Sequence, residues 1–210
     1  MISQKHKFIF IHAPKTAGTS IEGALIPFSS NNATKEQLDT KNKDLMDGPI
    51  ANAVPFKLKG FKVTKHTMFR DYGRMWVSCL GDMDDYFKFG NIRNPWDRAI
   101  SYYFWKCGRN ALFSKTKFLK FIGDKPLNSF YNYFVDNNNS LAFDFYIRFE
   151  NLQQDFDVVC DKIGIPKQQL PYVNKSKHKH YTEYYDDETR QIVAEKYAKD
   201  IEYFNYEFAE

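Results

Sequence analysis

The sequence predicts an α/β fold in three layers, a central and mainly parallel sheet flanked by helices. Three observations carry this expectation. Short apolar runs recur along the chain. Apolar stripes with helical spacing lie between them. Near the start, an apolar run breaks into a glycine-containing loop that opens a helix, as a strand–loop–helix unit of a parallel sheet does. The 210 residues suit one domain, taken here as residues 1–210.

Four runs read as strands: Phe8–Ile11, Phe61–Thr64, Tyr86–Ile92 and Phe143–Phe149. Ala17, Ile21, Ala24 and Leu25 form the first helical stripe. Residues Pro27 to Pro55 are polar and weakly periodic, and they predict a long loop with at most one short helix. Trp96, Ala99, Ile100, Tyr103 and Phe104 form a second stripe, which leaves Arg98 and Ser101 on the opposite face. Leu152, Phe156, Val159 and Ile163 form a third, stopped by Gly164 with Pro166 beyond. A last helix is expected from Asp186 to about Tyr203.

Composition narrows the function. Hydrophobic residues make up 43%, enough for a sizeable core, and aromatics 18%, enough to leave some for a pocket. The net charge of +4 fits a small anionic ligand and is too weak to argue for nucleic acid. Cys79, Cys107 and Cys160 are far apart and odd in number, which predicts reduced thiols without a disulfide frame or zinc site. The opening MISQKHKFIFIH has too short an apolar run for a signal peptide or anchor, and no later segment approaches a membrane span, so a cytoplasmic chain is expected.

The stretch FIFIHAPKTAGTS, Phe8 to Ser20, has the make-up of an anion site. A strand entering a loop and then a helix gathers backbone N–H groups at a helix start. Gly18 permits close approach of the backbone. Thr16, Thr19 and Ser20 offer hydroxyl donors. A plain strand–turn–helix connection is the bland alternative. The nucleotide-triphosphate loop GxxxxGK[ST] needs lysine directly after its second glycine. Here Thr19 follows Gly18 and Lys15 precedes it by three residues, which counts against an ATP-using kinase.

A second anion site is expected in GNIRNPWDRAISYY, Gly90 to Tyr103. Asn94 suits an N-cap, Pro95 the first helical position and Asp97 the first turn. Arg93 at the helix mouth and Ser101 two turns along could hold one phosphate together. Taken singly, Arg93 and Arg98 could equally be structural or surface arginines.

Taken together, the two elements give a specific resemblance. Pro14–Ser20, PKTAGTS, resembles the 5′-phosphosulfate loop of sulfotransferases that use 3′-phosphoadenosine-5′-phosphosulfate (PAPS). Ser20, where cytosolic members tend to carry Trp, is closer to the carbohydrate-modifying branch, the heparan 2-O and chondroitin or dermatan type. Arg93 and Ser101 match the family's Arg–x7–Ser element for the donor's 3′-phosphate. YIRFENLQQDFDVVCDKIGI, Tyr146 to Ile165, resembles the segment that follows in this branch. The resemblance implies a P-loop-like fold and sulfuryl transfer from PAPS to a hydroxyl, expected to be that of a sugar. It leaves adenosine 3′,5′-bisphosphate (PAP) as product. It also implies that Pro14, Lys15, Thr16, Ala17, Gly18, Thr19, Ser20, Arg93 and Ser101 bind the donor, with Lys175, Ser176 and Lys177 closing over the nucleotide. Animal relatives in that branch sit in the Golgi behind an anchor.

Sulfuryl transfer needs a stabilised leaving phosphate and a base for the hydroxyl. Lys15, at the front of the loop, would meet charge developing on the bridging oxygen, so no metal is expected. His66, after the second strand in FKVTKHTMFRDY, is the expected base, since similar members carry a catalytic histidine there and imidazole titrates near neutrality. A surface or helix-start histidine is the bland alternative. His12 is the second choice, its place at a strand end pointing to loop packing. Glu22 reads as a surface residue, and Arg148 and Glu150 as structural, either an ion pair or a cap for the next helix. A nucleotide or nucleic-acid binder without turnover is the rival outside enzymes. Pro27–Pro55 and Lys106–Asn139 are expected to shape the acceptor pocket.

Overall fold

The computed structural model describes residues 1–29, 66–71, 83–108, 110–124, 126–171 and 179–209. Four strands form one sheet in the order β1-β2-β3-β4: β1 Ile2–Ser3, β2 Phe8–Ile11, β3 Phe87–Ile92 and β4 Phe145–Arg148. β1 runs antiparallel to β2, and the other two pairings are parallel. The sheet is therefore mixed but mainly parallel, as expected. The expected strand Phe61–Thr64 lies outside the described residues, as does nearly all of the Pro27–Pro55 stretch.

Alternation along β2 assigns the two faces of the sheet. Phe8 and Phe10 join Phe89 and Ile147 under α1 (Gly18–Leu25) and α5 (Leu152–Ile163), which contribute Ile21, Leu25, Phe156 and Val159. Ile9 and Ile11 point the other way, toward Phe130 and Phe134 of α4 (Phe130–Phe134) and Phe204 of α7 (Ala198–Phe204). Helices thus cover both faces, the packing that near-continuous apolar strands require. A third apolar cluster joins α2 (Pro95–Cys107), α3 (Lys115–Asp124) and α6 (Asp187–Lys196) through Trp96, Ile100, Tyr103, Phe118 and Val193.

The ends of two helices follow their local signals. The Asn94 side chain accepts from the N–H groups of Trp96 and Asp97, with Pro95 in the first turn of α2. Gly164 takes the left-handed conformation, φ 67°, that stops α5. The last helix departs from expectation: it is two helices, α6 and α7, parted at Tyr197 with φ −114° and ψ 26°. The reason lies in packing. Val193 and Tyr197 face α2, whereas Phe204 enters the core beneath the sheet, and one straight helix does not reach both. Among the described residues no helix is long and apolar enough to cross a membrane. Cys107 and Cys160 are free thiols, and Cys79 lies outside the described residues.

Candidate functional site

Parallel pairing of β2 with β3, Ile11 opposite Gly90, sets the C-terminal ends of both strands side by side. The loop Pro14–Ala17 leaves one end and Arg93 the other. This is the edge where open parallel sheets receive ligands.

The loop's carbonyls are all held from the protein side. Thr16 Oγ1 donates to Ala13 O at 2.6 Å, Arg98 Nε to Pro14 O at 3.0 Å and Arg93 Nη1 to Lys15 O at 3.2 Å. Asn91 Nδ2 donates to Thr16 O at 3.0 Å, and the Ser20 N–H to Ala17 O at 2.9 Å. In a planar trans peptide the N–H of the next residue points opposite to the carbonyl. Fixing these oxygens therefore turns the N–H groups of Lys15, Thr16, Ala17 and Gly18 away from their carbonyls' donors. Lys15 and Ala17 hold left-handed conformations, φ 70° and 61°, which are uncommon outside glycine. Gly18 is required for another reason. A Cβ there would lie 2.0 Å from the His12 ring, so the imidazole packs directly on its Cα.

Two expected hydroxyl donors are already engaged. Thr16 is buried with its hydroxyl on Ala13 O, and the Ser20 hydroxyl donates to Pro171 O at 2.7 Å. Both hydroxyls brace the loop by donating to main-chain carbonyls. Thr19 is half-buried in the first turn of α1.

Arg93 sits at the mouth of α2, buried to 7% exposure. Its Nε and Nη2 meet Asp97 Oδ2 at 2.8 and 2.7 Å, and its guanidinium lies 3.8 Å above the Phe149 ring. It lines a cleft of about 420 Å³ together with Asp97, Phe149, Lys179, His180 and Tyr181. Ser101 is buried further along α2, and no hydrogen bond joins it to Arg93 among the described residues. Arg98 and Ser101 do not occupy a polar outer face as the stripe suggested. Arg98 is 1% exposed and spans from Pro14 O to Asn128 O, because the loop and the 127–130 segment close over that side of α2. Burial lowers its pKa below the usual arginine value.

His66 Nδ1 lies 3.0 Å from His12 O. A carbonyl only accepts, so Nδ1 carries the hydrogen, and the neutral ring's lone pair falls on Nε2. His12 is buried, stacked on Phe10 and edge-on to His66. Glu22 is no surface residue: it is 13% exposed and its Oε1 approaches His12 Nδ1 to 3.0 Å, a close electrostatic contact without hydrogen-bond alignment. Packing of the His12 ring on Gly18 draws α1's first turns, and Glu22 with them, against β2.

Arg148 and Glu150 form neither the ion pair nor the cap expected of them. Arg148 Nη2 donates to Phe204 O at 2.6 Å. Glu150 Oε1 accepts the Asn94 N–H at 2.7 Å, and Oε2 accepts from Tyr206 at 3.3 Å, so Glu150 braces the entry to α2. Burial raises the Glu150 pKa above its ordinary value. Lys175, Ser176 and Lys177 lie outside the described residues. Among the described residues no three His, Cys, Asp or Glu side chains gather as a metal site would.

Asn91 went unnoticed in the sequence. It is fully buried, accepts the Ala13 N–H at 3.2 Å and donates to Thr16 O. Its signal was there to read, since an amide inside an apolar strand must find partners.

Two comparisons bear on this geometry. Residues 1–207 match the model of the Sulfotransferase family. Among curated proteins none matches the chain.

Proposed function

The chain belongs to the sulfotransferase family, and from that premise we propose that it moves a sulfuryl group from PAPS to a hydroxyl of a carbohydrate, without a metal ion. The observation that supports this reading best is the loop whose carbonyls are turned inward by Asn91, Arg93 and Arg98. Such a loop presents N–H groups to a phosphate before any ligand arrives. PAPS supplies an activated sulfate whose leaving group is a phosphate.

The residues then divide the work. Backbone N–H groups from Lys15 to Thr19 hold the 5′-phosphate, while the Ser20 N–H stays on Ala17 O. Arg93 commits three of its five N–H groups to Asp97 and Lys15 O, and the other two face the 3′-phosphate, with Ser101 further along the helix. The Lys15 ammonium neutralises charge on the departing oxygen. His66 Nε2 accepts the acceptor's proton while Nδ1–H stays on His12 O. The acceptor oxygen bonds to sulfur as the bond from sulfur to the bridging oxygen breaks, and PAP leaves.

A lysine three residues ahead of the glycine, with hydroxyls used to brace the loop, favours sulfuryl transfer over the ATP-kinase alternative. Incubation with radiolabelled PAPS and a panel of sugars in chelator tests the proposal. Transfer of label to a sugar is the expected result. Transfer only from ATP, and only with magnesium, would replace this reading with phosphoryl transfer.

A further inference from the structure

Asp200 is a buried carboxylate that sulfuryl transfer itself does not use. It lies in the first turn of α7 and is fully buried. Both of its oxygens accept main-chain N–H groups at the start of α4, Oδ2 from Phe130 at 2.8 Å and Oδ1 from Tyr131 at 3.0 Å. Away from water a carboxylate is kept only where donors or a cation stabilise it. Burial raises the Asp200 pKa, opposed first by the Arg98 charge and then by these two N–H groups.

Arg98 meets the same turn from another side. Its Nη1 donates to Asn128 O at 2.9 Å, and its guanidinium lies 4.0 Å from the centre of the Phe130 ring. The stretch 128–131 is thus gripped twice, a carbonyl on the cation and two N–H groups on the anion. Arg98 also reaches the loop, where its Nε donates to Pro14 O at 3.0 Å, one residue before Lys15. Its Nη2 is buried and has no hydrogen-bond partner among the described residues. The guanidinium therefore makes fewer hydrogen bonds than it can, and its place depends all the more on the turn and the charge around it.

We propose that Asp200 is a positioning residue for the phosphate loop and acts through Arg98. It fixes the 128–131 turn and offsets the buried guanidinium. Arg98, so placed, holds Pro14 O and with it the direction of the Lys15 N–H. The inference rests on the sulfuryl-transfer reading in one respect, that the loop receives the donor's 5′-phosphate. It adds that a carboxylate on the last helix, in contact with neither donor nor loop, sets how well that phosphate is held.

The test compares the full chain as wild type, Asp200→Asn, Arg98→Met and the double variant, each held below its own melting temperature. Calorimetry gives the affinity for PAP and for 5′-AMP. Asp200→Asn keeps the size of the side chain but removes its charge and turns an NH2 group toward one of the two N–H groups. It should weaken both ligands about tenfold and by the same factor, because both carry the 5′-phosphate. In the Arg98→Met background the same change should leave both affinities where they are. Hydrogen exchange needs no variant. Coupling is reciprocal, so PAP should slow the amides of Phe130 and Tyr131 in wild type more than those of Val159 and Cys160, in α5 on the other face of the sheet. If Asp200→Asn does not fold, this exchange comparison decides alone. A lower melting temperature with wild-type PAP affinity in Asp200→Asn, an equal loss with and without Arg98, or uniform slowing of exchange would overturn the positioning role, while PAP binding by wild type kept the transfer reading intact. Failure of wild type to bind PAP would remove the transfer reading, and with it the phosphate loop that Asp200 is held to position.

Discussion

His66 donates its Nδ1–H to the main-chain oxygen of His12, 3.0 Å away, and the two rings meet edge to face with centroids 4.6 Å apart. Both His12 and the loop it leads into are anchored to β2. The hydrogen bond therefore ties the orientation of the proposed base to the strand that carries the proposed phosphate site, and it selects the tautomer a base requires.

His66→Ala should bind PAP as wild type does and lose turnover about a hundredfold or more. A histidine that merely packs would show the reverse pattern, a lower melting temperature with the rate per folded molecule kept. Single-turnover assays at saturating donor, alongside calorimetry with PAP, separate the two. Near wild-type turnover on a true acceptor would move the search for the base to His12.

Arg93→Ala should weaken PAP binding by about 1.5–3 kcal/mol, the scale of a charge-assisted contact. Affinity for 5′-AMP should change far less, because that ligand lacks the 3′-phosphate. Calorimetry on both ligands decides it. An equal loss for the two would mean that Arg93 acts only by holding Lys15 O.

Gly18→Ala forces a methyl to within 2.0 Å of the His12 ring and should destabilise the protein by about 1–3 kcal/mol. Shrinking that ring should relieve the clash: in a Gly18→Ala/His12→Ala pair, the alanine at 18 should cost much less than it does alone. Denaturant melts of the four proteins in the cycle measure this coupling. Simple additivity would show that the contact does not limit the substitution.

Glu150 should make stability fall as pH rises. Burial raises its folded-state pKa, so the folded protein holds this proton more tightly than the unfolded chain. Its contribution is full below the ordinary glutamate value, about 4.3, and is lost as pH rises through the raised folded value. Glu150→Gln mimics the protonated group and should melt higher than wild type at pH 8, with the advantage vanishing in mild acid. An advantage constant across pH would assign the effect to something other than titration.

Several elements could be read because their signals are local. β2 and β3 are apolar runs closed by a loop, and α2 carries its own N-cap in Asn94 and its proline in Pro95. What the sequence hid was set by neighbours far along the chain. β1, two residues long, exists because Ile2 pairs with Ile9, and so short a strand leaves no periodicity. Arg98 and Glu22 lie on the polar sides of their helices, yet other segments cover those sides and give each a buried partner. The division at Tyr197 has no glycine or proline to mark it. Lys15, Ala17 and Gly18 stand in the quoted loop, but the direction of its N–H groups depends on donors from Asn91, Arg93 and Arg98.

Those three donors act across sequence separations of 75, 78 and 84 residues. The loop leaves the ribosome before the groups that shape it. A nascent chain that has just released PKTAGTS should not yet hold the loop in this shape, and a short peptide of the same sequence should be equally unshaped. If the loop holds the proposed donor, its competence should arrive as one event, when β3 and the first turns of α2 dock beside β2, so that appearance of PAP binding during translation would report the completion of this half of the sheet.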